Sequence, residues 1–368
     1  MILAFDPCSE YRRHQHEIDS AIARVLNSGQ VILGPEGACF EEEFAAYVGA
    51  RYGVGVKSGT DALIVALRAL GIGADDEVLT VANTAVPTVA AIRATGAIPR
   101  FVDVDPVTLL MDADHLQAAI SSQTRCVVAV HLYGNPLDMQ QIKAIAAPRG
   151  VPIVADCAQA HGAQFGGRHV GPDADIGCYS FYPTKNLGGF GDAGLCTTDD
   201  ARLAAQMRRI RMYGFDGDRV AQCEGLCSRL DELQAAMLRV KLRHLDKVLL
   251  VRRRLAERYT HSLSESDFVL PATTPGGRHA YHQYVVRTSQ RTTLMEELQR
   301  AQIGYGIHYP VPVHLMPAYA WLGYRPGDLP VTERAAEEVL SLPLHVGLSE
   351  NEIRDVASVL RGAVQAVT

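Results

Sequence analysis

Residues 180–194 read SFYPTKNLGGFGDAG, and three glycines within them form a G-x-G-x-x-G pattern just after Lys185. A dinucleotide-binding loop with this pattern follows a strand, opens a helix and has an acidic residue about 20 positions further on. Here Pro183 interrupts the preceding residues, LCTTDD is typical of a short strand and a turn, and Arg209 stands at the acidic position. We therefore interpret the glycines as a tight loop that lets backbone approach closely. They are Gly189, Gly191 and Gly194. Lys185 is the residue that needs an explanation.

The chain before this loop alternates apolar, β-branched runs with helical patterns. The runs are YGVGV, EVLTV, PRFVDV, RCVVAVHLYG and VPIVADC, and helical stretches such as TDALIVALRAL and DMQQIKAIAAPRG lie between them. This alternation predicts an α/β fold with βα units on a largely parallel sheet. Ligands bind such sheets at the carboxyl ends of the strands, so we expect the functional site there.

Helical patterns on both sides of the predicted sheet suggest two domains. EIDSAIARVLNSGQ and GACFEEEFAAYVGA predict two helices after an N-terminal arm, and residues 230–262 predict one long helix. AYHQYVVR and GYGIHYP are typical of strands, and LSENEIRDVASVLRGAV of a closing helix. Because 368 residues exceed the size of one growing core, we predict a large domain at 1–240, which includes the arm, and a small C-terminal domain at 241–368.

Composition argues against several classes of partner. The net charge of -6 and the pI near 6.1 disfavour nucleic acid or an anionic membrane as the main partner. We find no apolar stretch of spanning length and no signal-peptide core, which predicts a cytoplasmic protein. The eight cysteines contain no C-x-x-C pair, and the closest two, Cys223 and Cys227, lack histidines at ligand spacing. This favours reduced structural thiols and no metal site.

Side chains of complementary chemistry fall at the ends of the predicted strands. They lie in KSGTDAL (57–63), NTAVPT (83–88), ADCAQAHG (155–162) and SFYPTKN (180–186). These segments offer a carboxylate, an amide, hydroxyls and one amine, namely Asp156, Gln159, Ser58, Thr60, Ser180 and Lys185. Together they are the groups that pyridoxal 5′-phosphate needs.

Two of these residues have distinct chemical roles in this interpretation. Lys185 is the amine that binds the cofactor aldehyde covalently, although its position alone is equally compatible with a solvated surface lysine. Asp156 keeps the pyridine nitrogen protonated, because opposite charges about 4 Å apart attract by about 4 kcal/mol at an effective dielectric near 20. The alternative for Asp156 is a cap at the end of a strand.

The cofactor phosphate is expected at a helix start. Ser58, Gly59 and Thr60 open a predicted helix, whose backbone amides and dipole favour a dianion. The dipole contributes only about 0.3 to 2 kcal/mol, so Ser180 is expected to add a further donor. A routine N-cap by Ser58 explains the same local sequence equally well.

Taken together, these motifs resemble the DegT/DnrJ/EryC1/StrS group of sugar aminotransferases. The resemblance runs from SGQVILGPE to IHYPVPVHLMPAY and includes S-F-x-x-x-K-N-L, D-x-A-Q-x-x-G and S-G-T. It implies an aspartate-aminotransferase-like fold with a large pyridoxal phosphate domain and a smaller α+β domain. It also implies a homodimer with shared active sites, in which GLCSRLDELQ reaches the neighbouring subunit's phosphate.

The chain departs from the family pattern at three places. Relatives mostly have an aromatic residue, stacked on the cofactor, at the position of Ala85, and asparagine at the position of Cys227. A thiol is a weaker donor than an amide, which weakens the expected phosphate contact at Cys227 while Arg229 remains. The third departure is GDAG in place of G-[DE]-G-G.

The resemblance also implies a substrate class. SFYPTKNLG with the following Gly-Asp, and RMYGFD, are closer to relatives that aminate C3 of a dTDP-linked 3-keto-6-deoxyhexose, with L-glutamate as the expected donor. His308, Tyr309 and His314 match the substrate-binding motif, although a structural strand edge explains them too. The alternatives are a C4 or cyclitol aminotransferase, a sugar dehydratase, whose relatives carry histidine at the position of Lys185, and a non-catalytic regulator.

Overall fold

The structure is a computed structural model that describes residues 1–6, 8–264 and 266–365. Its helices are α1 (Ser9–Ser28), α2 (Pro35–Val48), α3 (Gly59–Ala69), α4 (Val86–Ala94), α5 (Ala113–Ala119), α6 (Met139–Ala146), α7 (Ala201–Ile210), α8 (Glu232–Leu242), α9 (Leu245–Leu263), α10 (Arg291–Arg300), α11 (Pro330–Glu338) and α12 (Glu350–Gln365). Its strands are β1 (Tyr52–Val56), β2 (Glu77–Val81), β3 (Ile98–Val102), β4 (Thr124–Val130), β5 (Ile153–Asp156), β6 (Gln164–Phe165), β7 (Arg168–His169), β8 (Ile176–Ser180), β9 (Gly194–Thr198), β10 (Phe215–Asp216), β11 (Val220–Ala221), β12 (Gly277–Arg278), β13 (Tyr284–Arg287) and β14 (Val339–Leu342).

Seven strands form the central sheet, in the order β1-β9-β8-β5-β4-β2-β3. Strand β9 pairs antiparallel with both neighbours, and the pairs from β8 to β3 are parallel. Successive residues of a strand belong to different cores, as with Val127 and Val128 of β4, because side chains alternate between the faces of a sheet. The predicted α/β fold with a mostly parallel sheet is confirmed.

The segment directly before the glycine loop differs from its prediction. Strand β8 ends at Ser180, directly before the loop, although no strand is predicted there from the sequence. The loop leads into β9 and not into a helix, so it still lacks the element that a dinucleotide site requires. A Cβ on Gly194 would lie 2.2 Å from the Ser58 carbonyl oxygen, and Cβ atoms on Gly189 and Gly191 would meet Gln234. Close approach therefore accounts for these glycines.

The predicted long helix at 230–262 is wrong, because it is two helices. Helix α8 ends at Leu242 and α9 begins at Leu245, with a turn at Arg243 and His244 between them. Helix α8 packs against α1 and α2, whereas α9 packs against α12. The chain turns at this point because the two halves bury their apolar faces against different partners.

The C-terminal part has its own apolar core, drawn from α9, α10, α12, β13 and β14. AYHQYVVR contains β13, as predicted, but GYGIHYP forms no strand and contributes only an isolated bridge between Gly306 and Ser341. The predicted domain boundary at 240/241 falls inside α8 and stays a prediction. Among the described residues, no helix has the length and apolar character needed to cross a membrane.

Candidate active site

A cavity of about 300 Å³ lies at the carboxyl ends of β4, β5 and β8. Parallel strands bring these ends to one edge of the sheet, and the starts of α3 and α4 close the cavity from the side. The predicted cofactor residues that line it are Ser58, Gly59, Thr60, Ala85, Asp156, Gln159, Ser180 and Lys185. Residues from four separate segments of the sequence are thus brought together as expected.

The start of α3 has the features of an anion site. Ser58 caps the helix by accepting a hydrogen bond from the Asp61 N–H at 3.1 Å, which leaves its hydroxyl proton free to be donated. A Cβ on Gly59 would lie 2.5 Å from the Ser180 Cβ. Glycine therefore lets the helix start meet the end of β8, and the N-cap and phosphate interpretations of Ser58 are compatible.

Asp156 ends β5 and is 5% exposed. One carboxylate oxygen accepts the Ala158 N–H at 3.1 Å and the other accepts the Thr88 hydroxyl at 2.8 Å. Burial raises the pKa of this carboxyl, and these two hydrogen bonds and the Lys185 charge oppose the rise. A buried carboxylate of this kind is stabilised by a cation, which a protonated pyridine nitrogen provides.

Lys185 lies half-buried in the loop after β8 and lines the same cavity. Burial lowers the pKa of its amine to about 8, and the nearby Asp156 carboxylate opposes this. A lysine with a pKa near neutrality has a substantial neutral, nucleophilic fraction, unlike a solvated surface lysine. The surroundings therefore favour the chemical interpretation of Lys185.

Gln159 links the cavity to the C-terminal part of the chain. Its oxygen accepts the Tyr133 N–H at 2.7 Å, and its nitrogen donates to the Tyr309 hydroxyl at 3.0 Å. The Tyr133 hydroxyl in turn donates to the His308 carbonyl oxygen. His308 is close enough for the Lys185 charge to contribute to lowering its pKa to about 4, with burial as the larger cause. Two of the three predicted substrate residues thus lie beside the site.

The structure does not bring the third, His314, to this cavity. Its side chain has no exposed surface, its Nε2 lies 3.1 Å from Glu333, and its ring packs near Phe101 and Tyr324. An imidazole enclosed in this way cannot contact a ligand in the cavity. We expect His314 to hold its loop in place instead.

Cys227 and Arg229 line a neighbouring cavity of about 480 Å³, which shares Ser58 and Asp192 with the first. The Arg229 Nη2 donates to the Cys227 sulfur at 3.2 Å. Both residues therefore adjoin the phosphate end of the site. The structure pairs none of the eight cysteines, and reduced thiols stay a prediction.

His131, which follows β4, was missed by the sequence interpretation. Its Nδ1 accepts the Leu137 N–H at 2.9 Å, so the proton of the neutral ring is on Nε2, and burial lowers the pKa to about 3. Nε2 is buried without a partner among the described residues, and the ring lines the cavity. The position at a strand end was visible in the sequence, but the orphaned donor was not. It fits a ligand that carries an acceptor oxygen, as the cofactor does.

Comparison with known proteins agrees with this geometry. The model of the DegT/DnrJ/EryC1/StrS aminotransferase family matches residues 12–361. This chain belongs to that family. Among its curated relatives is a dTDP-3-amino-3,4,6-trideoxy-alpha-D-glucose transaminase from Micromonospora megalomicea subsp. nigra. The two are 45% identical, over 92% of each chain.

Solved structures give the same result for this aminotransferase. S. venezuelae DesV in complex with a ketimine intermediate is 42% identical, with a TM-score of 0.97, covering 99% of this chain and 98% of DesV. NtdA from Bacillus subtilis, solved with bound cofactor PMP, is 31% identical with a TM-score of 0.89, covering 96% of this chain and 82% of NtdA. The predicted fold, enzyme class and pyridoxal phosphate cofactor are confirmed.

Outside this site, His14, Glu17 and His244 have ligand atoms close enough together to hold a metal ion. The Glu17 carboxylate already interacts with Arg243 at 3.0 Å, and the two imidazole rings are stacked at 3.9 Å. Because stacked imidazole rings hold their nitrogen lone pairs side by side, the two lone pairs do not converge on one metal ion. The expectation that the aminotransferase has no metal site stays a prediction.

Replacing Ala85 by phenylalanine is expected to tighten cofactor binding about 2- to 12-fold, the equivalent of about 0.5 to 1.5 kcal/mol for an aromatic stack. Ala85 lines the cavity and its backbone is extended (φ -65°, ψ 142°), so the ring needs no backbone change. Val86 is 38% exposed and does not line the cavity, so it leaves that space open. The cofactor dissociation constant of Ala85→Phe, compared with Val86→Phe as control, checks this. Weaker binding by Ala85→Phe would show that the space is already filled.

Proposed function

We propose that this aminotransferase moves an amino group from L-glutamate to the C3 keto group of a dTDP-linked 3-keto-6-deoxyhexose. The observation that carries the proposal is the pairing of Lys185 with buried Asp156 in one cavity, in a chain 45% identical to a dTDP-3-amino-3,4,6-trideoxy-alpha-D-glucose transaminase. Pyridoxal phosphate supplies the aldehyde that carries the amino group and the ring that accepts electrons.

The protein's own residues supply binding, charge and proton movement. The start of α3 with Ser180 holds the phosphate, and Asp156 keeps the ring nitrogen protonated. The Lys185 Nζ accepts and returns a proton at the reacting carbon, a role suited to a pKa of about 8 because both protonation states are then populated near neutral pH. His308 and Tyr309 lie where they can orient the sugar.

The substrate is tested by offering nucleotide-linked keto sugars with L-glutamate and identifying the amine by mass spectrometry. Amination of the dTDP-linked 3-keto sugar supports the proposal. Exclusive amination of a 4-keto sugar or of a cyclitol ketone would replace it. Loss of water without amine transfer would indicate the dehydratase, and a bound cofactor that does not respond to glutamate would indicate the regulator. A cytoplasmic location stays a prediction.

We further propose that the enzyme is a homodimer in which Arg229 serves the partner subunit's phosphate site. Arg229 is half-buried and Cys227 is exposed, and they border a cavity that adjoins the phosphate end. Exposed apolar side chains near this region, among them Tyr182 at 52% and Phe190 at 39%, are compatible with a covering subunit.

Mixing inactive Lys185→Ala with inactive Arg229→Ala chains is expected to restore about a quarter of the wild-type activity, since half of the random dimers are hybrids and each hybrid regains one of its two sites. A mixture of Lys185→Ala with Asp156→Asn is the control, because these residues line one cavity of one subunit and no hybrid site regains both. If chain exchange is demonstrated and the first mixture stays inactive, Arg229 serves its own subunit's site.

A further inference from the structure

A second cavity, of about 280 Å³, lies behind the lysine loop. The N-terminal arm, the loop with Thr184 and the C-terminal core all contribute to its walls. Its polar lining consists of Thr184, Arg252, His282, Gln283, Tyr305, His308 and Ser341, and no Asp or Glu is among the described residues that line it. The wall is therefore rich in hydrogen-bond donors and carries one permanent positive charge.

Arg252, on α9, supplies that charge. It is 5% exposed, and within the described residues no carboxylate lies within 4 Å of its guanidinium. Its Nε donates to the Tyr281 carbonyl at 2.7 Å and its Nη2 to the His282 carbonyl at 2.6 Å. Nη1 makes no hydrogen bond to any described residue, so the outer edge of the guanidinium is free beside the cavity.

Burying a guanidinium without a hydrogen-bonded carboxylate costs free energy, because arginine stays protonated and loses its hydration. Burial lowers the pKa of Arg252 to about 10, which still leaves it charged at neutral pH, and the charge of Glu10, which is paired with Lys241 at 2.6 Å, opposes this shift. A free guanidinium edge matches a carboxylate in a bidentate pair. The two backbone hydrogen bonds fix the side chain, but they do not neutralise it.

The cavity adjoins the reacting lysine. Thr184 precedes Lys185 in the chain, and the charges of Lys185 and Arg252 both contribute, after burial, to lowering the pKa of His282. His282 therefore lies within electrostatic reach of both cations and stays neutral, and its buried Nδ1 has no hydrogen-bond partner among the described residues. An anion held by Arg252 would therefore lie in a cavity that the lysine loop helps to line through Thr184.

We propose that the cavity lined by Arg252 and His282 is the anion subsite that binds a carboxylate of the amino donor. This inference rests on the proposed function for its amino-acid ligand. The diphosphate of the nucleotide sugar shares the anionic chemistry, but one free guanidinium edge matches a single carboxylate better than two phosphates, and the walls offer no second cation. The proposal requires the donor's amine to extend past Thr184 towards Lys185 while its carboxylate stays on Arg252.

The first test measures binding of glutarate, a dicarboxylate without an amine, by calorimetry and by the rise in melting temperature. Arg252→Gln is expected to weaken glutarate binding at least about tenfold, since it removes a charge-assisted bidentate pair. Arg253→Gln is the matched control: Arg253 is on the same helix and donates through Nε and Nη2 to the carbonyls of His279 and Gly162, but does not line the cavity. Equal effects of the two variants would overturn the proposal.

A second variant covers the case in which Arg252→Gln does not fold. Gln283→Glu places a carboxylate in the same cavity with little change of shape. This built-in anion is expected to pair with Arg252, to weaken glutarate binding and to raise the concentration of L-glutamate that half-saturates the first half-reaction. Unchanged glutarate and glutamate binding in Gln283→Glu would contradict the subsite.

Kinetics with the second substrate, the nucleotide sugar, distinguish the two possible anions, which are the donor's carboxylate and the sugar's diphosphate. If the variants raise the KM for the nucleotide sugar and leave glutarate and glutamate binding unchanged, the site serves the diphosphate and the carboxylate assignment is wrong. If wild-type protein binds glutarate through Arg252 but glutamate produces no half-reaction, the subsite stands and the donor in the proposed function is wrong. The two proposals can therefore fail separately.

Discussion

Lys185→Ala is expected to lower turnover by roughly 10⁴-fold or more, since it removes both the covalent attachment of the cofactor and an acid–base group that alone supplies about 10² to 10⁴-fold. The visible absorbance of the lysine-bound cofactor should disappear as well. The fold should persist, because this side chain forms no ion pair with any described residue and burial, which lowers its pKa to about 8, disfavours its charge. Removing a desolvated amine costs little stability.

Turnover, the absorption spectrum and the melting temperature together check this result. Lys143→Ala is the control, because Lys143 is an exposed lysine on α6 that does not line the active-site cavity. It should leave all three unchanged. Activity retained by Lys185→Ala would contradict the assignment of the active site and, with it, the proposed function.

Asp156→Asn is expected to leave the cofactor bound but to slow the half-reaction with glutamate by about three orders of magnitude. The reason is that the interaction between Asp156 and a protonated ring nitrogen has a Coulomb scale of about 4 kcal/mol, and each 1.36 kcal/mol corresponds to about tenfold in rate. The local hydrogen bonds can survive the change. The amide oxygen can still accept the Ala158 N–H, and the Thr88 hydroxyl, which also lies 2.9 Å from Thr84, can accept from the new NH₂ and donate to Thr84.

Single-turnover absorbance changes after addition of glutamate measure this rate. Asp103→Asn is the contrast, because Asp103 is also buried, at 4% exposure, but it accepts hydrogen bonds from Val331 and Thr332 at the start of α11. It should lower the melting temperature and leave the half-reaction rate nearly unchanged. A loss of less than about tenfold in Asp156→Asn would mean that Asp156 mainly caps the end of β5.

The strand-end residues could be predicted because their arrangement follows from local patterns. Apolar runs that alternate with helical segments require a parallel sheet, and the ends of its strands meet at one edge. Asp156 and Ser180 end β5 and β8, and Ser58 caps α3 just after β1, so all three reach one cavity with Lys185. The family resemblance then distinguished these residues from ordinary caps and surface lysines.

Residues whose role depends on long-range contacts could not be predicted in the same way. His314 carries a substrate motif, yet Glu333 and two aromatic rings enclose it. The helix predicted at 230–262 breaks at His244 because its two halves pack on different elements. The local spacing of apolar residues does not show which elements a helix will contact.

The same limit applies to the groups whose chemistry depends on burial. His131 acquires a fixed tautomer from the Leu137 N–H, and Arg252 becomes a buried cation with one free edge because the carbonyls of Tyr281 and His282 occupy the other. In the sequence, Arg252 is one of three consecutive arginines that look alike. Tertiary structure alone decides which of them loses its water, since desolvation and pairing depend on neighbours that are distant along the chain.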